Sequence, residues 1–333
     1  MYDVITIGGA TFDIFMRSEK FKVVSGEDIS LSNVPLLCMI HGTKIVVKEA
    51  YFEIGGGGTN VAVGLANLGL KVAYQGIVGK DLEGKRILNL LKKRKVDISM
   101  VSRSDKEKTA LSVILYRARE RTILTYRGVN DYLTKKLINW NKLAKTKWLF
   151  VSHLSGQSHK LLKEIIRFRA KHPRIKIAWN PGSTQLDKGI KELSGFLSLC
   201  HILILNKEEA EEITKIKIEN PKGLKMKSFK PLFVKLAAYG PKIIAITNGK
   251  RGAQAWEGKK IFSYSNIPVK IVANIGAGDA FCSGFLGAII LGKSVEEALR
   301  WGIANGSSVI TKYGTQIGLL NRRNIEKWSK RIL

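Results

Sequence analysis

The chain has 333 residues, with 56 Lys and Arg against 27 Asp and Glu, so its formal charge is +29 at neutral pH. A composition of 45% hydrophobic, 25% charged and 8% aromatic residues supplies a sizeable core and excludes a disordered chain or a collagen-like repeat. Cys38, Cys200 and Cys282 lie far apart without metal-type spacing, which excludes a disulfide scaffold, and no run approaches the roughly 18 apolar residues of a membrane span.

The N-terminus enters a strand, Val4–Ile7, at once, so no signal peptide is expected and a cytoplasmic protein fits best. Asp13 follows Gly8-Gly9 beyond that strand, where ligands bind in an α/β sheet. Residues 15–54 carry short β-like pieces and no convincing helix. Four glycines, Gly55–Gly58, then lead through Thr59 and Asn60 into a helix over Thr59–Leu68. A loop running straight into a packed helix suits close approach of a polyol, and the Asn60 amide can both donate and accept. A strand over Val72–Ile77 precedes Gly79-Lys-Asp-Leu-Glu-Gly84-Lys85. That run imitates a phosphate loop but lacks the Ser/Thr for magnesium and sets Asp81 and Glu83 where phosphates would sit. A helix over Gly84–Lys93 and a hairpin over Lys108–Tyr126 come next.

Strands over Lys147–Val151, Ile175–Trp179, Ile202–Leu205 and Ile243–Thr247 alternate with helices over His159–Ala170 and Glu208–Thr214, the pattern of a parallel sheet covered on both faces. His153 and His159 are six residues apart, which is not ligand spacing. Asn180-Pro181-Gly182, at a strand end, either lines a cleft or is only a turn. Val269–Val272 reads as a further strand before Asn274-Ile-Gly276-Ala277-Gly278-Asp279, which opens a helix over Asp279–Leu291. Small residues at 276–278 allow close approach of a ligand, and their N–H groups at a helix start form an anion site. Asp279 either takes a proton from an attacking hydroxyl there or merely caps the helix, and spacing alone weighs the two equally. Cys282 is simplest as a core residue. Gly287–Ser294 satisfies the Walker A pattern letter for letter, yet it starts inside a helix; Gly292 reads as that helix's C-cap, and Ser294 with Glu297 as a capping box for Val295–Thr311.

The positive charge gathers in Lys215–Lys242, in Lys85–Lys95 and in Arg322–Arg331, none interleaved with aromatics as a single-strand groove would be. A basic solvated surface, or attraction of an anionic substrate, accounts for it. The competing class is a basic nucleic-acid-binding protein without catalysis.

Together the glycine loop at 55–60, Gly76-Ile-Val-Gly79-Lys-Asp81-Leu-Glu-Gly84 and Gly276-Ala-Gly-Asp279-Ala-Phe281 resemble the two signatures of the ribokinase-like, or PfkB, family of carbohydrate kinases. The resemblance runs from Ile5 to about Gly318. It implies a three-layer α/β/α ribokinase-like (Rossmann-like) sandwich with a mostly parallel central sheet and a small β lid: 1–14, 56–107 and 128–333 form the main domain, and 15–55 with 108–127 the lid. It implies an ATP- and Mg2+-dependent kinase that phosphorylates a hydroxymethyl of a carbohydrate, or of a nucleoside in the runner-up reading. Asp279 then resembles the catalytic base and the amides of Gly276, Ala277 and Gly278 the anion hole. Asp13, Gly56, Gly57 and Asn60 resemble the acceptor-binding groups, and Asn206, Asn248, Gly249 and Gly252 the nucleotide-binding ones. Glu209, in Asn206-Lys-Glu-Glu209, resembles the residue that organises magnesium through water. No membrane and no specific nucleic-acid partner are expected, and in many relatives such a lid pairs two subunits into a homodimer. The family usually has Asp-Thr where Ala273-Asn274 stands, which puts a potassium-type monovalent cation in question, and Asn274 resembles some nucleoside kinases.

Overall fold

The computed structural model describes residues 1–25, 35–117, 120–219 and 227–332. Parts of the expected lid (26–34 and 118–119) and of the basic Lys215–Lys242 stretch (220–226) lie outside the described residues. The strands, in chain order, are β1 (Tyr2–Ile7), β2 (Thr11–Arg17), β3 (Lys22–Ser25), β4 (Pro35–Cys38), β5 (Glu49–Gly55), β6 (Val72–Gln75), β7 (Ile77–Gly79), β8 (Ser102–Ser104), β9 (Ala110–Arg117), β10 (Glu120–Tyr126), β11 (Thr146–Val151), β12 (Lys176–Trp179), β13 (Cys200–Asn206), β14 (Ile243–Thr247), β15 (Ala253–Glu257) and β16 (Lys260–Tyr264). The main sheet has the order β16-β15-β14-β13-β12-β11-β1-β6. Its pairs from β6 to β14 are parallel, and β15 and β16 add an antiparallel edge.

Because side chains alternate across a strand, each parallel strand feeds two cores. Val4, Val72, Phe150, Ile204 and Ala245 face one side, packed under α1 (Gly57–Asn67), α2 (Leu82–Lys93), α9 (Ala277–Ile290), α10 (Val295–Val309) and α11 (Arg322–Ser329). Ile5, Leu149, Trp179, Leu205 and Ile246 face the other, beneath α3 (Trp140–Leu143), α4 (Leu161–Lys171), α5 (Ser183–Leu186), α6 (Gly189–Leu197), α7 (Lys207–Thr214) and α8 (Lys230–Ala237). This is the expected three-layer sandwich. A second sheet, β10-β9-β2-β5, stands at the end of β1, with β2 parallel to β9 and the other pairs antiparallel.

Three expectations are corrected. The run Val72–Ile77 breaks at Gly76, because β6 pairs with β1 whereas β7 pairs with β8. Val269–Val272 is no strand: Val272 and Ala273 donate only to the Ile310 carbonyl, leaving Val269 and Ile271 to wall a cleft. The glycine run is not all loop, since Gly57 and Gly58 already form the first turn of α1. The two imitation phosphate loops resolve as read. Gly287 lies within α9, Gly292 turns the chain at φ 80°, and Ser294 with Glu297 closes a capping box. Asp81 caps α2 through the Gly84 N–H and also accepts from Thr109.

Candidate active site

The first turns of α1 and α9 meet because small residues line their contact. A Cβ on Gly64 would lie 2.2 Å from Ser283 Oγ, and one on Gly287 2.4 Å from Leu68 Cδ1. That closeness lets Asn60 Nδ2 donate to Asp279 Oδ2 at 2.8 Å. Asp279 sits in the first turn of α9, whose N-cap Gly276 holds φ 75°, a conformation L side chains rarely adopt. Burial pushes the Asp279 carboxyl above its usual range, and the Asn60 bond opposes that push. The opening amides of α9 have no intrahelical acceptor, so they offer donors and a positive dipole end beside this carboxylate.

Across the glycine loop lies Asp13 of β2, 5% exposed. A Cβ on Gly55 would overlap its Oδ2 at 1.9 Å, and one on Gly57 would lie 2.1 Å from Ser152 Oγ and within contact of Asp279 Oδ1, so the loop passes between the two carboxylates with no room for side chains. Gly56, at φ 96°, makes the turn. Burial raises the Asp13 carboxyl to about 6; hydrogen bonds from Ser112 and Thr11 oppose this, and the charges of Asp279 and Glu53 add to it. Asp13 Oδ1 is buried with no hydrogen-bond partner among the described residues. Phe15, Ile114 and Tyr116 of the second sheet form an apolar wall with Ala273, and Tyr51 stacks on Tyr313 at 4.7 Å.

On the other side of α9 opens a cleft of about 520 Å³, walled by Gly249, Lys250 and Gly252 after β14, by Asn266–Val269, and by Asn274, Ala277, Gly278 and Phe281. Its apolar flank and the helix amides at its mouth suit a flat base with phosphates. Asn248, between the cleft residues Thr247 and Gly249, is buried, its N–H bonded to the Gly252 carbonyl. Asn206 and Glu209 do not wall the cleft. Asn206 Oδ1 accepts from the Glu209 N–H and Glu209 Oε2 from the Asn206 N–H, each at 2.8 Å, a reciprocal cap on α7. Burial, then the charges of Glu208, Glu212 and Asp279, raise the Glu209 carboxyl to about 7.

Magnesium commonly takes one or two carboxylates and otherwise waters and substrate phosphates. A single Glu209 made proton-hungry by burial fits that mode, and the described residues hold no group of three His, Cys, Asp or Glu that could cage a metal. The monovalent cation does not fit: Ala273, 1% exposed, packs among Phe15, Ile114, Tyr116, Ile275 and Tyr313, with no carboxylate at that position.

His153 and His159 stay apart from this centre, bonded to Thr184 and to the Gly156 carbonyl, and Asn180 Nδ2 ties β12 to the Ile204 carbonyl. Cys282 is buried. Sequence reading overlooked Thr315 and Gln316, which bond Asn60 from a loop after α10. The only signal was a glycine-flanked polar pair, Gly314-Thr315-Gln316-Ile317-Gly318, following a helix.

Comparison with known proteins identifies the family. The pfkB family carbohydrate kinase model matches residues 26–322. Ribokinase of Haemophilus influenzae is 28% identical over 293 residues, spanning 85% of this chain and 89% of the relative. The 5-dehydro-2-deoxygluconokinase of Bacillus subtilis is 26% identical over 287 residues, 82% of this chain and 86% of the relative. Among solved structures, Arabidopsis thaliana ribokinase complexed with ribose and ATP superposes with a TM-score of 0.79 at 22% identity over 99% of both chains. The Methanocaldococcus jannaschii nucleoside kinase superposes at 0.74 and 20% identity, over 99% of this chain and 98% of its own. A family match across most of the chain, carried on a ribokinase-like fold, leaves one conclusion: the chain belongs to the pfkB family of carbohydrate kinases, phosphotransferases with an alcohol as acceptor.

Proposed function

We propose that the protein transfers the γ-phosphoryl group of ATP to a hydroxymethyl of a sugar bound between Asp13 and Asp279. The observation that carries this is a carboxylate of raised basicity, Asp279, at the amide-rich start of α9, between a buried acceptor-side acid and an apolar cleft. Asp13, with an uncommitted oxygen, accepts from sugar hydroxyls, and the bare backbone of Gly56 and Gly57 lets the sugar lie close. Asn60 has only one N–H left for the sugar, since its oxygen and its other N–H are engaged within the protein. Gly249 and Gly252 border the base, with Asn206 and Asn248 shaping the strand ends. Bound Mg2+, held by Glu209 through water, would offset phosphate charge.

Asp279 accepts the hydroxymethyl proton as the oxygen attacks the γ-phosphorus. The bond to the bridging oxygen breaks, ADP leaves, and the 276–278 amides hold the equatorial oxygens of the transferring group. The second sheet, read as a lid over residues 15–55 and 108–127, excludes water that would otherwise accept the phosphoryl group. Replacing Asp279 by Asn should leave folding and ATP binding intact and lower turnover by about 10³-fold, within the usual contribution of a general base. An ADP-release assay over D-ribose, 5-dehydro-2-deoxygluconate, D-fructose and adenosine measures it. Parent-like turnover in that variant overturns the mechanism, and adenosine as best acceptor replaces the sugar reading with the nucleoside one.

A further inference from the structure

The Asn60 side chain is closed in from both ends, and the closure has a direction. Its Nδ2 donates to Asp279 Oδ2 at 2.8 Å, while its Oδ1 accepts from Gln316 Nε2 at 2.8 Å and faces Thr315 Oγ1 at 3.1 Å. Thr315 has one hydroxyl proton for two acceptors, the second being the Ile54 carbonyl at 3.0 Å, so Gln316 is the committed donor. Asn60, Thr315 and Gln316 are 2%, 3% and 1% exposed, so water cannot stand in for either partner. Turning the Asn60 amide over would set two N–H groups face to face at Gln316 and two oxygens face to face at Asp279. Gln316 Oε1 is itself buried with no partner among the described residues, so the side chain is anchored through its N–H end alone.

We infer that Gln316 is a positioning residue for catalysis: by donating to Asn60 Oδ1 it fixes the Asn60 amide so that an N–H always faces Asp279, which sets how readily that carboxylate holds its charge. The inference rests on the reading of Asp279 as base. Burial works against the charged carboxylate, and the titratable groups facing it are Asp13 from β2, with Glu53 of β5 behind it, Glu209 from α7, and the neutral thiol of Cys282 one turn along α9. Among the described residues Asn60 supplies the side-chain bond that opposes this, and a neutral amide supplies it only in one orientation.

The test is the pH profile of kcat at saturating ATP and a saturating acceptor, whichever of D-ribose, 5-dehydro-2-deoxygluconate, D-fructose or adenosine gives the fastest ADP release. Gln316→Met keeps the length and removes both the donor and the orphaned oxygen, so folding should survive, as thermal melting will report. Its acidic limb should move up by about one pH unit, roughly a tenfold loss on that limb, with recovery toward the parent value at high pH and an unchanged KM for ATP. Gln316→Leu, which likewise removes the donor, should move the limb in the same direction by a similar amount. A limb that stays in place in both folded variants, or activity lost equally at every pH, overturns the role of Gln316. A parent limb that persists in Asp279→Asn overturns the base reading instead.

Discussion

Asp13 shows most clearly how one residue of the site is tuned. Its folded proton affinity lies about two pH units above that of a free carboxyl, chiefly because it is buried. The sign follows from linkage: a raised carboxyl stabilises the fold fully only at pH values below its unfolded pKa, and that stability is lost as pH rises from about 4 through about 6. Asp13→Asn should therefore raise stability at pH 7.5 by about 2 kcal/mol, somewhat less than the roughly 1.4 kcal/mol per unit would give, because Asn must still satisfy Ser112 and Thr11. The same variant should raise the acceptor KM at least tenfold and abolish its increase below pH 6. Melting curves and KM measured across pH check both halves, and a variant that is less stable at pH 7.5 would refute the account. A buried charge held at the expense of stability is the pattern expected where it serves a ligand, as proposed for Asp13.

At the scale of elements, the geometry of the candidate site depends on how closely α1 and α9 approach. Neither helix contributes the site alone; Asn60 reaches Asp279 only because Gly64 and Gly287 lack side chains at the contact. Gly64→Val would force methyl groups into the Ser283 side chain, an overpacking that typically costs about 1–3 kcal/mol. The helices would part by a fraction of an ångström, and turnover should fall at least tenfold with little change in the KM for ATP, since the cleft lies on the far side of α9. Melting temperature and steady-state kinetics test this together; a drop in stability with unchanged kcat would mean that the contact is only structural. The glycines of 55–58 play a different part, because Gly57 and Gly58 belong to the helix and bring its N-terminus against the acceptor side.

For the whole molecule, the excess of basic side chains finds no focus at the site, whose acids Asp13, Glu53, Glu209 and Asp279 are all held above their usual range by burial. The positive residues form a long-range field and not a binding motif. Such a field gathers polyanionic ATP, so kcat/KM for ATP should fall several-fold between about 50 and 300 mM salt while kcat changes little. A flat salt profile at constant free Mg2+ would remove any role for the charge in catalysis. Among the described residues no helix is long and apolar enough to cross a membrane.

Much of this was legible in the sequence for a simple reason. Parallel strands buried on both faces read as short apolar runs, and the helices between them carry their caps in plain sight, as at Asp81 and Ser294. Glycines that permit close backbone approach are just as local, so the loops at 55–60 and 276–279 declared themselves. Hidden from the sequence were relations between distant segments. The Val269–Val272 run has the composition of a strand, yet it pairs with no strand among the described residues; Val272 donates to the Ile310 carbonyl, and Val269 and Ile271 wall a cleft. Thr315 and Gln316 carry no motif, and only the packing of the loop after α10 against α1 gives them a partner 255 and 256 residues away. Residue types and local backbone freedom determined the fold class and singled out Asp279 as the candidate base. The orientation of Asn60 and the proton affinities of Asp13, Glu209 and Asp279 were decided by tertiary structure alone, because desolvation and hydrogen-bond direction exist only once those segments are brought together.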